Sequence, residues 1–360
     1  MITALQAAIP HRAKWAFTTR NVNRSDAVDL TSDVASAKPG DLVVCQVIRL
    51  GSHKRVQLTT GRPSALYLGD TIIVACGARY ASDQFEGVAV LNRDSADLLA
   101  GGGVVGQMRQ RNERQAAPTR VRPIGLLQNA NGTILNLSDY RTVPYRSGGQ
   151  PCPALFVVGT AMNSGKTTAT AALAHGLIQA GLKVAAIKAT GTGAFGDFNA
   201  YRDAGADVVT DFTDTGLVST YRVEHDALLA STEDLLRDAH QKGCDIAVVE
   251  LADGIFQQET AAFLSCERVR ELANGFVFAA PDAVAVAGGL GSLRQLDIEP
   301  LFVTGLVSAS PMSATEAAAI TGCKVVRKED LLDPVFAATV YSSVGSVYRP
   351  ADLKTEQVAA

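Results

Sequence analysis

The stretch Gly159-Thr160-Ala161-Met162-Asn163-Ser164-Gly165-Lys166-Thr167-Thr168 combines glycines, hydroxyls and a lysine at a spacing suited to holding phosphate. An apolar run precedes it and a helical pattern follows, which is the context such a loop requires. A compact loop there turns its backbone N–H groups inward, and the helix N-terminus adds positive potential. Lys166 would set a point charge against β- and γ-phosphates, and the Thr167 hydroxyl would ligate magnesium. A helix start with an incidental lysine is the alternative, but it does not account for strand, loop, GKTT and helix together. The nucleotide-binding candidates are therefore Gly159, Thr160, Asn163, Ser164, Gly165, Lys166, Thr167 and Thr168.

Other residues with chemical potential follow apolar runs of the same half. Lys188 ends the run 183–188, Glu250 ends the run 246–249, and Asp253 lies three residues further on. Thr167 is expected to hold magnesium, with Asp197 as a further ligand; Lys166, Lys188 and Asp253 are the catalytic candidates. Residues 191–196 spell Gly-Thr-Gly-Ala-Phe-Gly. That pattern fits a substrate loop bearing Asp197, a glycine-rich surface connection, or a dinucleotide site. We take the first reading, with Thr190, Gly191 and Gly193 as substrate-binding residues. Asp211 and Asp214 would hold a substrate amine or sit on a solvated turn. His225 reads as a cap-region residue ahead of a helix. Gly288-Gly289-Leu290-Gly291-Ser292 reads as a turn at a strand end or a nucleotide edge.

The elements that must position these groups divide at about residue 150. Residues 42–48, 55–59, 71–75 and 132–137 read as short strands between Gly/Pro turns, and 95–99 as a short helix. This spacing predicts a small β-rich, barrel-like domain. Residues 154–158, 183–188, 245–251, 282–287 and 301–307 read as apolar strands. Helices are expected at 165–180, 199–204 and 227–242. This alternation predicts an α/β P-loop domain with a parallel sheet covered on both faces. The boundaries are 1–146 for the first domain, 147–152 for a linker, 153–345 for the second domain and 346–360 for a tail.

Composition narrows the class. Apolar residues make up 47% of the 360, enough for a sizeable core. No apolar run reaches the roughly 18 residues of a membrane span, and the first residues, Met1-Ile2-Thr3-Ala4-Leu5, lack a signal-peptide pattern. Six scattered cysteines without a CxxC pair read as buried thiols in a reducing compartment, so a cytoplasmic location is expected. Residues 1–150 carry a net charge of +7 and residues 151–360 a net charge of −10. The basic excess has no Lys/Arg block, which favours docking or a small anionic ligand over nucleic acid. Among the arginines from Arg109 to Arg122, Arg120 and Arg122 are expected to reach the domain interface and hold carboxylate or phosphate; a solvated face is the alternative. The segment from Arg79 to Glu86 is a second candidate for that interface.

The loop departs from the common GxxxxGK[ST] spacing, because Gly159 lies six residues before Gly165. In this it resembles the superfamily of dethiobiotin synthetase and the cobyrinic acid a,c-diamide synthases. That resemblance implies a phosphate- or substrate-contacting role for Lys188 and an acidic magnesium ligand at Glu250. The turn Leu251-Ala252-Asp253-Gly254 does not keep the superfamily's Gly-Ala-Gly-Gly. Over roughly residues 151–325 the chain is also similar, more closely, to the P-loop family that includes D-glutamate N-acetyltransferase. Together these imply an ATP- and Mg2+-dependent enzyme, ligase-, synthetase- or kinase-like, that forms an acyl phosphate on a small anionic substrate. The alternatives are an N-acyltransferase whose loop binds the phosphates of a CoA thioester, and a regulatory NTPase or binding module. No membrane partner is expected, and a homo-oligomer is left open.

Overall fold

The computed structural model describes residues 12–145 and 148–345. The first residues, part of the expected linker and the 346–360 tail lie outside the described residues.

The first half folds as β, through β1 (Lys14–Trp15), β2 (Asp29–Thr31), β3 (Leu42–Arg49), β4 (Arg55–Gln57), β5 (Pro63–Ala65), β6 (Thr71–Cys76), β7 (Arg79–Tyr80), β8 (Phe85–Val88), β9 (Ala96–Ala100), β10 (Val104–Arg111) and β11 (Thr119–Gln128). Strands β6, β3, β11, β9 and β10 follow one another, and β10 pairs back onto β6, closing a five-stranded barrel. Closure removes the exposed sheet edges that short strands would otherwise present. Alternation along the strands sends Val43, Cys45, Ile72, Val74, Leu98 and Val121 into one core. Val44, Ile73, Leu99 and Val104 face the other way and pack with Val218 of the second half.

Two expectations fail here. Residues 96–99 belong to strand β9, not a helix, because β10 and β11 both pair with this segment and that tertiary pairing decides a short ambiguous run. Residues 132–137 form no strand. Their ladder pairing is limited to the isolated bridges Gln128–Ile134 and Asp41–Asn136, and Asn136 then caps a 3-10 turn at Leu137–Tyr140.

The second half alternates strands and helices: β12 (Ala154–Gly159), α1 (Lys166–Gln179), β13 (Val184–Lys188), α2 (Phe195–Asp203), β14 (Val208–Asp211), α3 (His225–Gln241), β15 (Ile246–Glu250), α4 (Gln258–Ser265), α5 (Glu267–Leu272), β16 (Gly275–Ala279), α6 (Ala283–Arg294), β17 (Phe302–Thr304), α7 (Pro311–Thr321), α8 (Lys328–Leu332) and α9 (Pro334–Gly345). The strands form a parallel sheet in the order β14-β13-β15-β12-β16-β17. Separate apolar clusters cover its two faces. This is the P-loop NTPase fold: a strand, a glycine-rich loop and a helix at the centre of a parallel sheet. Among the described residues no helix is long and apolar enough to cross a membrane.

The run 282–287 is the start of helix α6, not a strand. Asp282 caps it by accepting from the Ala285 N–H at 2.8 Å, and the strand lies just upstream as β16. The glycines from Gly288 to Gly291 therefore lie inside a helix and form no loop at the sheet edge. At Gly289 a side chain would meet the Phe278 ring, so close packing accounts for that glycine.

Candidate functional site

Parallel register brings the chemistry to one edge. Lys188 pairs with Glu250 across β13 and β15, and Val157 of β12 also pairs with Glu250, so the strands end together beside the loop that follows β12. The loop is held in a turned-in shape. Asn163 has φ 61° and Gly165 φ 105°. Gly165 is the N-cap of α1 and carries no side chain to accept from the first-turn N–H groups. Those donors, which every helix leaves without internal partners, point into the loop. Ser164 Oγ and Thr160 Oγ1 are buried there without a hydrogen-bond partner. Buried hydroxyls are ordinarily satisfied, so these two are exceptions inside the loop.

Around the cradle the side chains interlock. Lys166 Nζ donates to the carbonyl oxygen of Ala161 at 2.8 Å and to that of Asp253. Burial lowers its pKa, opposed by Glu250 and Asp253. Thr167 Oγ1 lies 2.9 Å from Asp197 Oδ1 and 3.3 Å from Glu250 Oε1. Lys188 is ion-paired with Asp197. Burial pulls the Lys188 pKa down, but Asp197 and then Glu250 outweigh it and hold it raised. The Asp197 carboxyl is lowered, since Lys188 overcomes its burial. Tyr201, fully buried on α2, donates its hydroxyl to Glu250 Oε2. Among the described residues no group of three or more His, Cys, Asp or Glu side chains forms a metal cage. Thr167, Asp197 and Glu250 are instead a small set of hard oxygen donors, the kind that suits a magnesium ion completed by phosphate oxygens and water.

The pocket bounded by Asn163, Lys166, Thr167, Thr168, Glu250 and Leu306 has a volume of about 360 Å³. It adjoins a cavity of about 620 Å³ between the barrel and the P-loop unit, and the two share Met162, Lys188, Asp197 and Asp253. The barrel supplies His53, Lys54, Arg55, Gln57, Arg79 and Tyr80 to that cavity. Asp253 lines both spaces, and burial raises its carboxyl pKa against the pull of Lys166 and Lys188.

Several expected residues are placed elsewhere. Arg120 is paired with Ser95 and Asp97, and Arg122 with Gln46; both stay on the barrel and line neither space. Strand β11 faces β3 and β9, which keeps them from the interface. The Thr190 hydroxyl turns inward to the Ala252 carbonyl at 2.5 Å. The N–H of Gly191 is spent on Thr220 Oγ1 and that of Gly193 on the Val218 carbonyl. Their neighbours Thr192 and Ala194 line the cavity instead. Helix α2 already begins at Phe195, so the glycine pattern is a four-residue connection between Lys188–Thr190 and the helix rather than a dinucleotide turn. His225 opens α3, as its position suggested.

Asp211 and Asp214 are neither solvated nor open to a ligand. Both accept from Arg20 of the barrel, at 3.1 and 2.9 Å, and all three are nearly buried. Arg20 also lies against Phe17 and Phe198. Nothing in the spacing of the chain pointed to this pair, because its partners are 191 and 194 residues apart. Phe17 against Phe195, the Phe195 N–H on Gln57, and Asn163 of the loop on Asp83 add to the junction. The segment from Arg79 to Glu86 lies here, as expected: Tyr221 of the P-loop unit donates to Glu86 at 2.9 Å.

No family model matches the chain. Among solved structures it is similar to the signal recognition particle receptor FtsY from Elizabethkingia anophelis, with 14% identity over 59% of this chain and 76% of that one and a TM-score of 0.38. Chloroplast FtsY from Physcomitrella patens gives 16% identity over 58% and 70%, with a TM-score of 0.38. The 54 kDa signal recognition particle protein from Aeropyrum pernix K1, in complex with GDP, gives 17% identity over 59% and 51%, with a TM-score of 0.36. At such TM-scores the likeness carries no argument about activity, so the functional reading rests on the site itself.

Proposed function

We propose that the chain is a magnesium-dependent enzyme that transfers the γ-phosphoryl group of ATP to a small carboxylate bound between its two halves. The observation that carries this reading is the continuity of the two spaces. A nucleotide seated on the Gly159–Thr168 loop would direct its terminal phosphate toward Lys188, Asp197 and Asp253, and these residues also line the cavity. The loop spacing, Lys188 and Glu250 fit the resemblance to dethiobiotin synthetase and its relatives, which is further support.

In this reading the first-turn N–H groups of α1 receive phosphate oxygens. Lys166 exchanges its two carbonyl partners for β- and γ-phosphate oxygens. Thr167, Glu250 and Asp197 would hold magnesium, which supplies charge neutralisation across the phosphates. Tyr201 fixes the Glu250 carboxylate by donating to it. Lys188, held charged by Asp197 and Glu250, offsets the repulsion between an incoming carboxylate and the γ-phosphate. A substrate carboxylate oxygen forms the new P–O bond, the bond to the β–γ bridging oxygen breaks, and ADP leaves with that electron pair. Such transfer depends chiefly on positioning and electrostatic stabilisation.

The test is substrate-stimulated phosphate release across a carboxylate panel. Lys188→Ala should cut kcat/KM by roughly 100-fold or more with ATP affinity changed little, since its charge acts on the transferring group. Unchanged kcat/KM in that variant removes Lys188 from the chemistry. Acetyl transfer from acetyl-CoA without any ATP cleavage replaces the phosphoryl reading with the acyltransferase one.

A further inference from the structure

The barrel wall of the cavity is cationic, and one of its cations is built in. His53 contributes no fixed charge there, because burial and then the Arg79 charge push its pKa down to about 4. Lys54 and Arg55 are exposed. Arg79 is only 7% exposed. It donates Nη1 to the Leu99 carbonyl, while its Nε is buried without a hydrogen-bond partner. Among the described residues no carboxylate forms an ion pair with it; Asp253 and Asp83 act on it only from a distance. Of the two acids that line the cavity, Asp197 is ion-paired with Lys188, while Asp253 acts on Arg79 without pairing with it. A buried guanidinium with an unspent N–H is costly unless an acceptor arrives. A carboxylate matches its planar fork better than any neutral acceptor does.

We infer that Arg79 is the substrate anchor of the barrel, and that the acceptor is a dicarboxylate: one carboxylate reacts beside Lys188, while the other docks on Arg79 with Lys54 and Arg55 at the rim. This deepens the phosphoryl-transfer reading and rests on it for the role of the first carboxylate. It also gives the barrel a task that Arg120 and Arg122 do not perform. A substrate with a neutral or cationic tail would leave Arg79 unpaired in the cavity. The barrel thereby sets which carboxylates enter, and the P-loop unit supplies the reaction.

The experiment is calorimetric titration of the full chain with the saturated dicarboxylates from malonate to adipate, each beside the monocarboxylate of equal length. Adenylyl imidodiphosphate with Mg2+ is titrated first in the same series. At least one dicarboxylate should bind at least roughly 10-fold more tightly than its monocarboxylate, and Arg79→Gln should erase that preference while nucleotide affinity stays within about twofold. Arg79→Lys keeps the charge but not the fork and should restore part of it. If Arg79→Gln does not fold, Arg79→Lys is scored alone and must weaken the dicarboxylate selectively. No preference in the wild-type protein, or a preference unchanged in the folded variant, overturns the inference. If the nucleotide analogue fails to bind but the Arg79-dependent preference is present, the phosphoryl reading falls and the anchor stands.

Discussion

Replacing Arg20 with alanine should loosen the junction that builds the cavity. The guanidinium bridges Asp211 and Asp214 with side-chain exposures of 10%, 3% and 8%. Removing it leaves two buried carboxylates beside each other with no cation. Losing one partner of a buried pair costs about 3–5 kcal/mol. The contacts with Phe17 and Phe198 add on the order of 1 kcal/mol. Urea unfolding can read this in both halves at once. Trp15, the one tryptophan of the chain, reports the barrel by fluorescence, and far-ultraviolet dichroism reports mainly the helices of the P-loop unit. In wild type the two transitions should coincide; in Arg20→Ala they should move to lower urea and separate. The sign with pH also follows. Burial already raises the Asp211 pKa despite Arg20 and Thr213. A carboxyl raised in the folded state favours folding while protonated and loses that as pH rises through its folded pKa. Removing Arg20 raises it further, so the deficit should be full at neutral pH and shrink toward about pH 4. A deficit below about 1 kcal/mol at pH 7, with coincident transitions, would refute the reasoning.

Lys166→Ala should lower ATP affinity by roughly 10- to 100-fold without changing the dichroism spectrum, because it removes a charge-assisted contact and not core; undiminished affinity measured by calorimetry contradicts the phosphate-loop role. Glu250→Gln keeps the shape and the Tyr201 contact but removes the charge a hard cation needs; turnover should vanish while metal-free nucleotide binding persists, and normal Mg2+-dependent turnover counts against it. Gly102→Ala places a Cβ onto the Gly193 carbonyl oxygen across the junction; it should cost about 1–3 kcal/mol in urea titrations and weaken carboxylate binding more than ATP binding.

The phosphate loop and the edge it occupies were legible because they are local. Gly159 to Thr168, Lys188 and Glu250 each sit at the end of an apolar run, and a parallel sheet brings such ends together whatever the strand order. The barrel was legible as a class from its turn spacing, but its closure depends on β10 pairing with β6, a contact no periodicity announces. The runs 95–99 and 282–287 show the ambiguity of short apolar segments, which neighbours decide. Asp282, with its side chain on the Ala285 N–H, was the signal that could have turned 282–287 into a helix. Arg20 with Asp211 and Asp214, and Tyr201 on Glu250, were out of reach of spacing arguments. Each joins residues far apart in the chain, so only the docking of the two halves defines them. Arg120 and Arg122 were chosen for charge alone, and the sheet register turns both away.

Hydroxylamine trapping tests the phosphoryl-transfer claim most directly, since an acyl phosphate reacts with hydroxylamine to give a hydroxamate. The protein, ATP, Mg2+ and hydroxylamine are incubated with the carboxylate that most stimulates phosphate release, and hydroxamate is measured beside ADP. The account predicts hydroxamate and ADP in equal amounts, lost together in Lys166→Ala and without Mg2+. ADP formation with no hydroxamate, or acetyl transfer from acetyl-CoA with no ADP at all, would contradict it.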